Sequence, residues 1–222
     1  MSNYIKYPRT PHLPWSPGVA SDDVRIINTN QFTGHEVIVT EKMDGENTSL
    51  YRNHCHARSL DSRNHLSRDW IKRWHSTIAH DIPQGWRICG ENLFAQHSVS
   101  YQKLNSYFYG FSLWDAQNNC LSWSETKEWF ELFGIHTPPI LYQGQWNEKV
   151  IRKIDIDPQS VEGFVVRLAD RFAYDQFAQS VAKWVRPNHV QTDQHWMQME
   201  ITPNGLQNGD DKISKEVNDE TG

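Results

Sequence analysis

The chain has 222 residues, enough to bury a substantial core in one domain or a little more. Its 27 acids outnumber its 22 lysines and arginines, and a formal charge of −5 argues against a protein that coats nucleic acid nonspecifically. Ten tryptophans, nine phenylalanines and eight tyrosines supply large core anchors, and no apolar run is long enough to be read as a membrane span.

In chain order, Pro8, Pro11, Pro14 and Pro17 open the sequence with a segment that cannot stay helical, since each proline fixes φ and removes a donor. This stretch, residues 1–20, is expected to lie extended over the domain, with Arg9 and His12 as solvated loop residues. Next, His35 to Val39 and Thr48 to Tyr51 read as two strands flanking Asp44-Gly45, a common signal for a hairpin turn. His54-Cys55-His56 then places two imidazoles on one face of a strand; without a second ligand pair at zinc spacing, a metal site is not expected there.

From Leu66 the apolar positions Trp70, Trp74 and Ile78 recur every four residues and predict an amphipathic helix. A second helix is announced by Ser122-Trp123-Ser124-Glu125, a capping-box spacing, carries Trp129, Phe130 and Phe133, and is stopped by Gly134. Short β-rich runs occupy Trp86 to Cys89, Tyr107 to Leu113, Gly163 to Leu168 and Val181 to Val185. With no regular βαβ alternation and no Gly-x-Gly-x-x-Gly loop, the fold class is α+β on antiparallel sheets with flanking helices. One domain is expected over residues 1–204, followed by an acidic, disordered tail over 205–222. Its stretch from Gly209 to Gly222 alone holds five acids and two lysines.

Cys55, Cys89 and Cys120 form neither a Cys-x-x-Cys pair nor a disulfide framework, and the N-terminus lacks a signal-peptide core, so a reduced, cytoplasmic protein is expected.

The string most informative about chemistry is Glu41-Lys42-Met43-Asp44-Gly45. A lysine where a strand turns, beside a carboxylate and a glycine, is placed to attack a nucleotide's α-phosphate, although the same tetrapeptide also suits a plain surface hairpin. Downstream, in one fixed order, come Arg58-Ser59, Gly90-Glu91-Asn92, Phe111 within Tyr107-Phe108-Tyr109-Gly110-Phe111, Glu162-Gly163-Phe164-Val165-Val166, and Lys183 in Ala182-Lys183-Trp184-Val185-Arg186. Taken singly, Glu91 and Glu162 read as exposed strand-end acids, Phe111 as core, and Lys183 and Arg186 as edge-strand charges.

As an ordered set over about residues 35 to 190, these strings resemble the covalent nucleotidyltransferase superfamily of polynucleotide ligases and capping enzymes, most closely the RNA ligase 2 type. The resemblance implies that Lys42 is the adenylated nucleophile, Glu91 the acid for the ribose, Arg58 the arginine near ribose and phosphate, and Phe111 the aromatic that stacks on the base. It implies further that Glu162 supports metal-assisted chemistry and that Lys183 grips the α-phosphate. Glu41 and Arg186 complete the expected nucleotide contacts, and Asp44 joins Glu162 as an expected magnesium or manganese holder. Two positions depart from the family pattern. Ser112 stands where an acid usually follows the stacking phenylalanine, and Val185 fills the second lysine position of a Lys-x-Lys string, which Arg186 is expected to cover.

An ordinary lysine has a pKa of about 10.4, so near neutral pH about one molecule in a thousand carries a free amine, a handicap of roughly 4 kcal/mol. Partial burial, a cation such as Lys183 or Arg58, and a divalent metal are expected to lower it. The activity implied is an ATP-dependent RNA ligase that adenylates Lys42, passes AMP to an RNA 5′-phosphate and seals it to a 3′-hydroxyl; the alternatives are a DNA nick ligase or other polynucleotide adenylyltransferase, or a nucleotide- or RNA-end-binding module limited to self-adenylation. ATP is expected over NAD because no nicotinamide-recognising N-terminal module is seen, and no OB domain is expected after Arg186. The expected partners are RNA ends and an end-healing kinase or phosphatase, with no membrane.

Overall fold

The computed structural model describes residues 4–18, 23–60, 65–187 and 201–207. In chain order its elements are β1 (Glu36–Lys42), β2 (Glu46–Tyr51), β3 (His54–Ala57), α1 (Asp69–Ile78), β4 (Arg87–Asn92), β5 (Phe108–Trp114) and β6 (Asn119–Cys120). They continue with α2 (Trp123–Phe133), β7 (Ile140–Gln145), α3 (Glu148–Ile151), β8 (Gly163–Leu168), β9 (Phe172–Ala173), α4 (Phe177–Ser180) and β10 (Val181–Val185). The strands build two antiparallel sheets, one ordered β10-β8-β1-β7 and the other β3-β2-β4-β5-β6-β9. The α+β class read from the sequence holds.

Strand alternation sorts each sheet into two faces. In the four-stranded sheet, Val37, Val39, Phe164, Val166 and Ala182 turn outward into one core with Leu13, Phe32 and Ile151. The opposite face carries Lys42, Val165 and Lys183, aligned by the pairings Lys42 with Gly163 and Lys183 with Val165. In the six-stranded sheet, Leu50, Ile88, Phe108 and Leu113 pack against Trp70 and Ile71 of α1 and Phe130 and Phe133 of α2. Between the sheets, Cys89, Trp114, Cys120 and Phe172 meet Val181 and Val165. The site residues line one end of this inter-sheet space.

Lys42 and Gly45 do not make a hairpin. β1 pairs with β7 and β8, whereas β2 pairs with β3 and β4, so Met43-Asp44-Gly45 crosses from one sheet to the other. Gly45 is required here by proximity rather than by a left-handed turn: a Cβ would lie 2.5 Å from the Asn92 carbonyl oxygen and 2.8 Å from Leu93 Cδ2. Gly163 has a similar origin, since a Cβ there would come within 2.0 Å of the Trp184 carbonyl oxygen across the β8–β10 pair.

Helix α2 has the expected capping box from Ser122 and Glu125, and Gly134 ends it at φ 65°. The first helix starts later than its periodicity suggests. Leu66 lies in a preceding 3-10 turn and is 72 % exposed, and the helix begins at Asp69.

The proline-rich segment is extended, as expected, but part of it extends the sheet. Lys183 N–H donates to the Pro11 carbonyl and Leu13 N–H to the Lys183 carbonyl, so residues 11–13 cover the free edge of β10, and residues 24–26 pair in turn with His12, whose carbonyl accepts the Ile26 N–H. Pro11 and Pro14 fit because the donors come from other residues. His12 is accordingly fully buried, not a solvated loop residue, whereas Arg9 is exposed.

The C-terminal segment also differs from its composition. Residues 205–207, expected in the disordered tail, pack on the loop after β4: Leu104 N–H donates to the Gly205 carbonyl, Gly205 N–H to the Tyr101 carbonyl, and Gln207 N–H to the Leu104 carbonyl. Buried Asn204 ties this contact down by donating to the Leu93 carbonyl at 2.7 Å and accepting from Tyr101 N–H at 2.9 Å. The rest of the expected tail, 208–222, lies outside the described residues.

Candidate active site

Lys42 closes β1, and Glu162 immediately precedes β8, its antiparallel partner. That register brings Lys42 Nζ to 2.5 Å from Glu162 Oε2, an ion pair in which the lysine side chain is 24 % exposed and the glutamate 2 %. Glu162 is therefore no exposed strand-end acid. Burial pushes the Lys42 pKa down, but the carboxylates of Glu162, Glu91 and Asp44 outweigh it and raise the value above the ordinary lysine range. This overturns the expectation that the surrounding side chains lower it. In the nucleotide-free protein, Lys42 is an ammonium ion beside the Glu162 carboxylate.

Glu91 reaches this group from the other sheet. Its carboxylate accepts the Gly45 N–H, and burial, with Glu162 and Asp44 acting the same way, pushes its pKa up to about 8 against the pull of Lys42 and that N–H. Asp44 secures the crossover. Its Oδ2 accepts Ser98 Oγ–H and Val99 N–H, each at 2.7 Å, while its own N–H donates to the Tyr101 hydroxyl at 2.9 Å. The loop after Lys42 is thus fastened to loop 98–101, which the 201–207 segment braces in turn.

The elevated Glu91 pKa has a consequence for stability. Between about pH 4.5 and 8 the folded protein holds this proton while the unfolded chain has lost it, so stability falls as pH rises through that window. Replacing Glu91 with Gln removes this slope. In urea titrations the variant is expected to exceed wild type by about 3–5 kcal/mol above pH 8 and to converge with it below about pH 4.5. A gap independent of pH would contradict the assignment.

Phe111 owes its position to a β-bulge. Cys89 pairs with Ser112 but Gly90 with Gly110, leaving Phe111 as the extra residue on β5, and such bulges re-aim side chains. Its half-buried ring meets Tyr7 edge-on at 5.2 Å between the sheets. Ser112, at the departed acidic position, is buried, accepts the Trp114 indole N–H at 3.0 Å and hydrogen-bonds with the Tyr7 phenol.

Arg58 leaves β3 just past Ala57, which pairs with Thr48, so it emerges beside Asn47, the cross-strand partner of Glu91. Arg58 Nε and Asn47 Oδ1 are both buried without a hydrogen-bond partner among the described residues. Arg186 N–H donates to the Glu162 carbonyl at 3.1 Å, which brings it to the same end of the cleft, and its Nε is likewise unsatisfied. By alternation, however, Val185 and not Arg186 shares the face of Lys183. Glu41 turns to the face opposite Lys42, where burial raises its pKa to about 6, so its side chain does not join the carboxylates around the nucleophile. Lys183 does face Lys42. Burial lowers its pKa, Lys42 adds to the effect, and Asp23, with an oxygen 3.5 Å from Nζ, opposes it.

His54 and His56 share a face with ring centroids 5.8 Å apart, but His54 stacks on Tyr4 and His56 Nδ1 lies 2.6 Å from the Ala57 carbonyl. Among the described residues no three His, Cys, Asp or Glu side chains converge to hold a metal by themselves. His189, His195 and Trp196 lie outside the described residues. Sequence reading missed Asn47, Asp23, Ser98, Tyr101 and Asn204. Asn47 carried a legible signal, since two-residue alternation from Ser49 puts it on the cleft face.

The chain is similar in fold to the Naegleria gruberi RNA ligase with PPi, at TM-score 0.53 and 17% identity over 83% of this chain and 61% of that one. A mutant of the same ligase, with ATP and Mn, matches at TM-score 0.50 and 14% identity over 82% and 60%. Another such mutant, matched at TM-score 0.48 and 17% identity, is covered over 52% of its length by 71% of this chain, so the chain spans about half to three-fifths of these ligases. No curated protein matches the sequence. No helix among the described residues is long and apolar enough to cross a membrane. The RNA ligase family model matches residues 35–185, which run from the start of β1 through Lys42, Glu91, Phe111, Glu162 and Lys183 to the end of β10, and the chain belongs to the RNA ligase family.

Proposed function

We propose that this chain is an ATP-dependent RNA ligase acting through a covalent lysyl-AMP intermediate on Lys42. The observation that carries the reading is the Lys42–Glu162 pair at 2.5 Å, set where Glu91 and Asp44 from the crossover and the second sheet, and Lys183 from the first, surround one amine. Family membership and the ATP and Mn named with the similar ligases support ATP as donor.

In the first step the Lys42 ammonium gives one proton to solvent, its free Nζ amine forms a bond to the α-phosphorus as the bond to the pyrophosphate oxygen breaks, and the nitrogen loses a second proton. Glu162 Oε2, already on that amine, is positioned to receive it. Lys183 and Arg58 bring positive charge to where negative charge develops on the transferring group, and the unsatisfied Arg58 and Arg186 Nε atoms supply donors for phosphate or ribose oxygens. Phe111 offers an aromatic face for the base.

Magnesium or manganese fits as a partner of Glu162, because a cation that keeps several waters and takes phosphate oxygens needs few protein ligands. When bound it would neutralise phosphate charge and compete with Lys42 for the carboxylate. In the second step an RNA 5′-phosphate oxygen takes the AMP and Lys42 regains its proton. In the third, a 3′-hydroxyl attacks the activated 5′-phosphorus and AMP departs.

The substrates are RNA ends with a 5′-phosphate and a 3′-hydroxyl, which an end-healing kinase or phosphatase would generate, and a cytoplasmic setting matches three free cysteines. The test is a panel of 5′-phosphorylated nicked RNA, nicked DNA and single-stranded RNA offered to the adenylated protein. Sealing of RNA is expected, and sealing confined to the all-DNA nick would refute the substrate assignment.

A further inference from the structure

The N-terminal segment builds a side-chain chain that ends on Lys183. His12, fully buried, has Nδ1 2.8 Å from Ser16 Oγ and Nε2 3.1 Å from Asp23 Oδ2, and Asp23 Oδ1 lies 3.5 Å from Lys183 Nζ. Ser16 Oγ also accepts the Val185 N–H at 2.9 Å, which ties the chain to the same strand two residues beyond Lys183. The backbone repeats the connection, with Pro11 and Leu13 bonded on both sides of Lys183.

The hydrogen positions follow from the partners. An imidazole nitrogen facing a carboxylate carries the proton, so His12 Nε2–H donates to Asp23. His12 is neutral, its pKa lowered to about 4 by burial and by Lys183 against the opposing pull of Asp23. Its Nδ1 is then an acceptor, and the Ser16 hydroxyl donates to it while receiving the Val185 N–H. Donation runs from the Val185 N–H through Ser16 and His12 to Asp23, whose other carboxylate oxygen accepts from the Lys183 ammonium.

A solvated lysine at a sheet edge needs no such support. Lys183 is 11 % exposed at its side chain, in a site that already holds the cation Lys42. Four conformationally free side-chain bonds separate its ammonium from the strand, so its location is undefined unless something fixes it. Asp23 does so, and His12 in turn holds the other oxygen of the Asp23 carboxylate at 3.1 Å.

We propose that Asp23, oriented by the Ser16–His12 pair, is a positioning residue that holds the Lys183 ammonium at the mouth of the nucleotide site, so that the N-terminal segment is part of the adenylation machinery. This rests on the ligase reading for its kinetic consequence. The holding of Lys183 itself does not depend on that reading.

The test uses the full chain with Asp23→Asn, His12→Ala and His12→Gln. The glutamine places an amide N–H where His12 Nε2–H stands and keeps the Asp23 bond, whereas alanine removes it. Under single-turnover conditions with ATP and Mn2+, Asp23→Asn and His12→Ala are expected to lower the maximal rate of adduct formation about 10- to 100-fold with less than about threefold change in the ATP concentration for half-maximal rate. His12→Gln should recover most of that rate.

In parallel, competitive acylation of the nucleotide-free protein, quantified at Lys183 by peptide mass spectrometry, should rise several-fold in Asp23→Asn and His12→Ala and stay near wild type in His12→Gln. Far-ultraviolet circular dichroism identifies any variant that has merely unfolded, and in that event the glutamine variant and the wild-type acylation profile of Lys183 relative to exposed Lys127 decide. Unchanged Lys183 acylation in a folded Asp23→Asn protein overturns the proposal. If wild type forms no adduct but the acylation pattern is as expected, the ligase reading fails and the positioning of Lys183 stands.

Discussion

Glu162→Gln is expected to change two properties of Lys42 in opposite directions. In the nucleotide-free protein the substitution removes the carboxylate 2.5 Å from the amine, so the ammonium loses its nearest counter-ion. A drop of one pKa unit corresponds to about 1.4 kcal/mol and to roughly tenfold more free amine near neutral pH. Acylation of Lys42 by a small electrophile should increase by about that factor. Adenylation by ATP and Mn2+ should instead fall about 10²- to 10³-fold, because the group proposed to receive the amine's proton and to join the metal's coordination is gone. Quantitative labelling at Lys42 and single-turnover adduct formation measure the two effects on the same sample. If both increase, Glu162 is a counter-ion alone and its catalytic assignment is wrong.

Asp44 separates anchoring from metal binding. Asp44→Ala strips the acceptor from Ser98 Oγ–H and Val99 N–H at a site only 6 % exposed, and should cost about 2–4 kcal/mol in urea denaturation. Asparagine keeps an acceptor oxygen for Val99, so Asp44→Asn should cost about 1 kcal/mol and leave the Mn2+ concentration for half-maximal adenylation within about twofold of wild type. A shift of tenfold or more in that concentration would show that Asp44 is a metal ligand and return it to the role its sequence context suggested.

The site was legible in the sequence to the extent that its residues sit on strands whose pairing follows from pattern. Lys42, Glu162 and Lys183 lie in or beside β-branched runs that became β1, β8 and β10, and antiparallel register did the rest. The tetrapeptide around Lys42 misled because Asp-Gly signals a turn without saying which strands the turn connects. Gly45 is needed for close approach to Asn92, a long-range reason that no local signal carries.

Charge was the second illegible feature. The sequence displayed cations that would lower the Lys42 pKa, but the fold places three carboxylates nearer to its effect, and only the geometry decides the sign. β7 escaped notice for a local reason. Its Gln-Gly-Gln end and half-exposed Ile140 and Leu141 belong to an edge strand with a weak two-residue pattern. His12 and Asp23 were hidden by the prolines around them, which read as loop when the segment in fact closes a sheet edge.

The central claim is that Lys42 carries the nucleotide. Incubating the full chain with α-labelled ATP and Mg2+ or Mn2+, followed by peptide mapping, should find a single acid-labile AMP on the peptide containing Lys42, and none in Lys42→Ala. Absence of label in wild type with either metal, or label that persists in Lys42→Ala, would contradict the account.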